Sequence, residues 1–325
     1  MNAPARLLLA LAVAHSTAAV LPSAATGDGL PSQGIDASPV SAPGGSVEYL
    51  TKRAGPRATL VVARERGEER LVGKVRLAGV FSVPAVAYDG SASGLSADGR
   101  TLVLIRRRPG FPRARTTFAV LDAKRLRLRR VLKLRGAFSF DAISPDGALM
   151  YLIQYMSRRN PNRYAVRAYD LRADRLLPEP IVDPREKSEP MNGLPVTRVT
   201  SPDGRWAYTL YDSAEHPFIH ALDTVRRRAV CVDLLSLAGR KGGLWGLRLE
   251  VGPAGGTPLT VEFGSKVLAS VDTRTFRVGV PGRRAHAEES HGTPWLLAGA
   301  GGVAVLLVAG AAARAYEASG ETARE

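Results

Sequence analysis

The chain holds one cysteine in 325 residues, Cys231, so no internal disulfide can staple it and no cysteine cluster is present for zinc or an iron–sulfur centre. Histidine is nearly as scarce, with five in all, and aromatic residues make up only 6%. No G-x-S-x-G elbow, no Walker loop and no G-x-G-x-x-G opening a helix occurs, so hydrolase, kinase and dehydrogenase readings lack their sequence parts. Glu215-His216-Pro217-Phe218-Ile219-His220 does place two histidines four apart. Pro217 and the flanking strand-like residues argue against a helix, so the two rings would not share a face as H-E-x-x-H requires. Both are read as loop and strand positions, Cys231 as a small buried hydrophobe in the β-patterned run 228–233, and no metal or cofactor is expected.

What is present is an ordinary globular composition, 45% hydrophobic and 23% charged, carrying a net charge of +15. Lysine supplies only seven of the 45 cations and arginine 38; with 33 Gly and 22 Pro this is the residue set of GC-rich codons. The excess charge therefore has two readings, codon bias or a binding footprint. It gives weak non-specific attraction to polyanions either way, and no specific nucleic-acid partner is expected.

Both ends are apolar. Residues 1–25 combine Arg6, the run Leu7 to Ala14 and small residues around Pro22, the parts of a cleaved secretory signal. Residues 295–313 contain 19 positions without a charge, flanked by Trp295 and Tyr316, about the length that spans a bilayer core as a helix. The expected layout is signal peptide 1–25, flexible linker 26–45, folded ectodomain 46–281, polar stalk 282–294, transmembrane helix 295–313 and cytoplasmic tail 314–325. The expected location is a bacterial plasma membrane, with the folded body outside and the C-terminus in the cytoplasm.

Within the body the sequence repeats. Ser96-Ala-Asp98-Gly99, Ser144-Pro-Asp146-Gly147 and Ser201-Pro-Asp203-Gly204 each lead into an apolar strand, and a second strand then ends in Asp122, Asp170 or Asp223, with Asp272 closing a fourth copy. The second aspartates stand 48, 53 and 49 residues apart, near the period of a four-stranded propeller blade. Asp98, Asp146 and Asp203 are read as turn formers, with Gly99, Gly147 and Gly204 supplying positive φ. The reading is an all-β propeller of about five blades, or six, beginning with a degenerate hairpin around 59–77 and ending with a blade over 244–280 whose turn is Gly252 to Gly256.

These S-P-D-G units resemble those of the bacterial YVTN and TolB-like β-propellers of the WD-repeat type over most of residues 81–280, although the Trp-Asp dipeptide itself is absent. The resemblance covers repeat architecture and implies blades, which enzymes, receptors and scaffolds share.

Two arginine-rich loops occupy the same place in successive repeats. Arg106, Arg107, Arg108, Arg113 and Arg115 form one, and Arg158, Arg159 and Arg163 the other. On a propeller such loops emerge on one face, where guanidinium forks suit phosphate or carboxylate groups. That face is either a binding site for an anionic envelope polymer or partner protein, or a diffuse solvated surface. Asp141 and Arg198 are candidate channel groups on innermost strands. The functional expectation is a membrane-anchored binding or scaffolding module; the alternative is a hydrolase or lyase with its site in the central channel.

Overall fold

In the computed structural model, residues 38–107, 111–161, 163–186, 192–213, 216–252 and 258–279 are described. They form five sheets of four antiparallel strands, each sheet a meander in sequence order. Blade I contains β1 (Val40–Ser41), β2 (Val47–Arg53), β3 (Ala58–Glu65) and β4 (Leu71–Ala78). Blade II contains β5 (Phe81–Ser82), β6 (Thr101–Arg106), β7 (Arg115–Asp122) and β8 (Arg127–Arg135). Blade III contains β9 (Phe138–Ile143), β10 (Leu149–Tyr155), β11 (Tyr164–Asp170) and β12 (Arg175–Ile181). Blade IV contains β13 (Leu194–Thr200), β14 (Trp206–Asp212), β15 (Phe218–Asp223) and β16 (Arg228–Asp233). Blade V contains β17 (Leu247–Val251), β18 (Leu259–Phe263), β19 (Lys266–Val271) and β20 (Val278–Gly279).

The last strands of the blades are the least buried, as β4, β8 and β12 show, whereas every residue of the first strand of blade III, β9, is buried. First strands therefore lie inside and last strands outside, the layering of a propeller. Val40 and Ser41 belong to this inner layer, which corrects the expectation that residues up to 45 are linker. Val40 packs with Tyr49 and Val61, and that apolar contact draws the segment into blade I. The signal, stalk, membrane-helix and tail expectations lie outside the described residues. No helix among the described residues is long and apolar enough to cross a membrane.

The predicted turns form with the same bonds three times. Ser96, Ser144 and Ser201 donate their hydroxyls to Asp98, Asp146 and Asp203 at 2.5, 2.7 and 2.5 Å. The same carboxylates accept the backbone N–H two residues on, at 2.9, 3.0 and 3.0 Å. Gly99, Gly147 and Gly204 adopt φ of 67°, 67° and 71°, where a Cβ is strained. The second aspartates cap the following turns in the same manner: each of Asp122, Asp170, Asp223 and Asp272 accepts backbone N–H from the residues just after it. Four residues beyond each stands a non-glycine at positive φ, namely Leu126, Asp174, Arg227 and Phe276.

Successive blades are locked face to face by four apolar clusters. One joins blades I and II through Tyr49, Val61, Leu102 and Leu121. A second joins II and III through Phe118, Val120, Phe140 and Leu152. The third joins III and IV through Tyr151, Val166 and Leu222, and the fourth joins IV and V through Tyr208, Leu210, Leu249 and Val261. Among the described residues no fifth cluster joins blade V to blade I. The outward face of blade V carries Arg248, Glu250 and Glu262, and that of blade I carries Glu48, Lys52 and Arg64, all partly or fully exposed.

The axis itself is crossed by the connection between β5 and β6. Val83, Ala85, Val86 and Ala87 are buried there. Tyr88 and Asp89 donate backbone N–H to the Pro195 and Val196 carbonyls of blade IV at 2.9 and 3.2 Å, and the Tyr88 ring meets Trp245 edge-on at 5.8 Å. This segment ties blade II to blades IV and V across the centre.

Candidate functional site

The polar features of the propeller concentrate along the junction of blades III and IV. Register places Arg198, Thr209, His220 and Cys231 opposite one another on the four successive strands of blade IV. Directly paired residues project from the same face, so the four side chains make one polar row from the axis to the outer edge. The row beside it, Ala207, Leu222 and Ala229, is apolar and packs on blade III.

At the inner end Arg198 meets Asp141 of β9. Arg198 Nη2 donates to the Asp141 carboxylate, Nη1 to the Asp141 carbonyl at 2.9 Å, and Nε to Thr209 Oγ1 at 2.5 Å. Both side chains are 3% exposed. The two expected channel groups therefore converge, but on each other, and Asp141 Oδ2 is left without a hydrogen-bond partner. Arg198 also lines a cleft of about 360 Å³ beside the axis, walled by Val40, Ala142, Thr200 and Pro202.

In the middle of the row His220 is 1% exposed, and its Nε2 has no hydrogen-bond partner. Burial pushes the imidazole down to about 4, so the ring is neutral at physiological pH. At the outer end the row opens into a cavity of about 550 Å³ lined by Asp183, Glu186, His216, His220 and Cys231. Asp183 comes from the connection between blades III and IV and is itself buried. It accepts the Cys231 backbone N–H at 2.8 Å and pairs with Arg185 at 2.6 Å. Burial pushes the Cys231 thiol well above its usual range, with the Glu186 and Asp183 carboxylates adding to the rise. Cys231 is thus not the plain core hydrophobe that its run implies; it lies among carboxylates, because alternation along β16 turns it toward the cavity.

The two arginine loops are neighbours. Phe111 of the blade II loop packs edge-on against Tyr155 at the end of β10, with ring centroids 5.1 Å apart. Not every predicted arginine is free to meet a ligand there. Arg113 is buried and donates to the Phe138 carbonyl at 3.0 Å, fastening the loop to blade III, and Arg106 stacks over Phe81 at 5.1 Å. Arg113 and Arg106 are thus engaged within the fold rather than left to solvent. Arg107 is half-buried, and Arg108 lies outside the described residues. Arg115, Arg158, Arg159 and Arg163 are exposed.

No protein-family model and no curated protein matches the chain. Solved structures do. The chain is similar to putative TolB from Agrobacterium tumefaciens at 12% identity over 75% of this chain and 79% of that one, with a TM-score of 0.42. It is also similar to the Myceliophteria thermophila Cps50 (Swd1) β-propeller domain at 10% identity, covering 71% and 63% of the two chains with a TM-score of 0.42. Kuenenia stuttgartiensis hydrazine synthase matches at 14% identity over 74% and 69%, also at 0.42. The five four-stranded antiparallel meanders are the arrangement expected of a β-propeller. These likenesses match the resemblance seen in the repeats. At such identities they carry nothing about activity, and the five-sheet architecture rests on the sheet topology itself.

Polar row, outer cavity and cross-axis segment were not anticipated from the sequence. The signal for the row was present: Arg198, Thr209, His220 and Cys231 follow one another at equal steps of 11 residues, the spacing that tight hairpins of equal arm turn into cross-strand neighbours.

Proposed function

We propose that the propeller is a binding or scaffolding module of the cell envelope, held outside the membrane by the apolar segment 295–313, and that its ligand is anionic. The observation that carries this reading is the pair of abutting arginine loops. The Phe111 to Tyr155 contact keeps them side by side, and Arg115, Arg158, Arg159 and Arg163 remain exposed. Clustered guanidiniums on adjacent loops offer bidentate donors to phosphates and carboxylates. The excess of 45 cations over 30 anions steers polyanions toward the molecule. An acidic envelope polymer and an acidic partner protein both fit this chemistry.

The hydrolase or lyase alternative has no comparable support. Among the described residues, the expected channel groups Asp141 and Arg198 neutralise one another. The test is binding of purified protein to an anionic cell-wall polymer at several salt concentrations. The charge reversals Arg158→Glu, Arg159→Glu and Arg163→Glu together are expected to weaken binding at least tenfold and flatten its salt dependence. Binding unchanged by the triple reversal would refute the assignment.

A further inference from the structure

The outer cavity gathers donor types that the polyanion-binding face does not need. Ligand atoms of Asp183, Glu186 and Cys231 all lie within 4.8 Å of one another. Tetrahedral zinc bonds of about 2.0–2.3 Å place ligand atoms ~3.3–3.8 Å apart, so a small contraction brings this trio to coordinating geometry. An acidic pair beside a cysteine is weak ground alone. The second observation is His220, which lines the same cavity, stands opposite Cys231 in the strand register, and buries an Nε2 with no partner. A buried imidazole nitrogen normally has a hydrogen-bond partner or a metal. Thiolate, imidazole and carboxylate together form a mixed S, N and O set that suits a borderline cation.

We propose that Asp183, Glu186 and Cys231 form a zinc-type divalent metal site at the outer edge of the junction between blades III and IV, which His220, outside the 4.8 Å trio but on the same cavity wall, completes when the side chains close on the metal. Binding replaces the Cys231 thiol proton, which is released to solvent, by the metal. The Cys231 backbone N–H already holds the Asp183 carboxylate in place, as a supporting shell does for a ligand. Arg185 is the counterion of the metal-free state. Its side chain is 63% exposed, so it can swing away when a cation takes over Asp183. An ion pair between Asp183 and Arg185 alone accounts for neither Glu186 at the thiol nor the unpartnered His220. The site joins the inter-blade connection carrying Asp183 and Glu186 to two strands of blade IV, so a bound metal would fasten one blade to the next.

The test uses the full chain, purified in detergent and stripped with a chelator, then titrated with zinc by calorimetry and with cobalt(II) by absorption. The expected result is one equivalent of metal per chain, proton release, and a thiolate-to-cobalt charge-transfer band in the near ultraviolet. Cys231→Ala removes the band, Glu186→Gln weakens zinc binding at least tenfold, and Arg185→Ala strengthens it several-fold by freeing Asp183. A thermal unfolding midpoint for metal-free Glu186→Gln equal to that of the parent shows that the loss is not unfolding. Absence of the band, or zinc uptake equal in the parent and in the Cys231→Ala, Glu186→Gln double variant, would overturn the site. Uptake of the latter kind would belong to histidines elsewhere, such as His286 and His291.

Discussion

Replacing Arg198 by methionine isolates what the inner end of the polar row does for stability. The substitution keeps most of the apolar stem but removes the donors to the Asp141 carboxylate, the Asp141 carbonyl and Thr209 Oγ1. Asp141, 3% exposed and already lacking a partner at Oδ2, would then be a buried carboxylate without a cation. Breaking such a pair from one side costs about 3–5 kcal/mol, whereas replacing both partners by apolar groups is often close to neutral. Arg198→Met is therefore expected to lower the unfolding free energy by about 3–5 kcal/mol, a third or more of the stability of a domain holding ~10 kcal/mol. Adding Asp141→Leu should recover at least about 2 kcal/mol of that loss. Urea unfolding followed by tryptophan fluorescence measures all four corners of the cycle. If Arg198→Met cost less than about 1 kcal/mol, or if the two single losses simply added, the pair would not be the buried, mutually dependent unit described here.

Two further outcomes follow from the turns. A Cβ on Gly147 would fall 2.6 Å from Thr101 Cβ and press on its hydroxyl, whereas one on Gly99 would meet only Ala42 at 3.7 Å. Both glycines have φ of 67°, so both alanine variants carry backbone strain of about 1 kcal/mol. Gly147→Ala should lose at least about 1 kcal/mol more than Gly99→Ala in thermal or urea unfolding, because overpacking adds to the strain. The turn carboxylates set the acid limit: backbone N–H and arginine donors pull Asp122 down to about 2 and hold Asp170 and Asp272 below their usual range. Since the folded values lie below the unfolded ones, this contribution is complete above about pH 4 and is lost as pH falls toward 2. Asp122→Asn should lower stability at neutral pH and make the acid limb shallower, read as unfolding midpoint against pH.

The blades were legible because their signal is local. Ser, Asp and Gly at fixed offsets close a turn with bonds that span five residues, and such a unit reads the same wherever it stands. Asp122 and its counterparts were legible for the same reason. The cavity at the outer edge was not, since Asp183 reaches Cys231 across 48 residues and only the register of two hairpins decides that His220 shares its face. The arginine loops were half legible. Composition marks them, but whether a guanidinium stays in solvent or, like that of Arg113, closes a carbonyl on the next blade depends on packing that the run itself does not encode. The buried connection around Ala87 escaped because small apolar residues between turns look like any loop.

Among the described residues four apolar interfaces join the five blades in sequence order, and none of them joins blade V to blade I. In an array each unit is held by its nearest neighbours, so the first and last units have one interface each and the inner ones two. Local opening then costs least at blades I and V and most at blade III, and amide hydrogen exchange should rise from the middle of the chain toward both ends. The Val83 to Leu95 crossing partly offsets this for blade V, since Tyr88 reaches Trp245. Among the described residues a terminal blade has one apolar junction to lose where an inner blade has two, and the contacts near the axis supply the rest of what holds it.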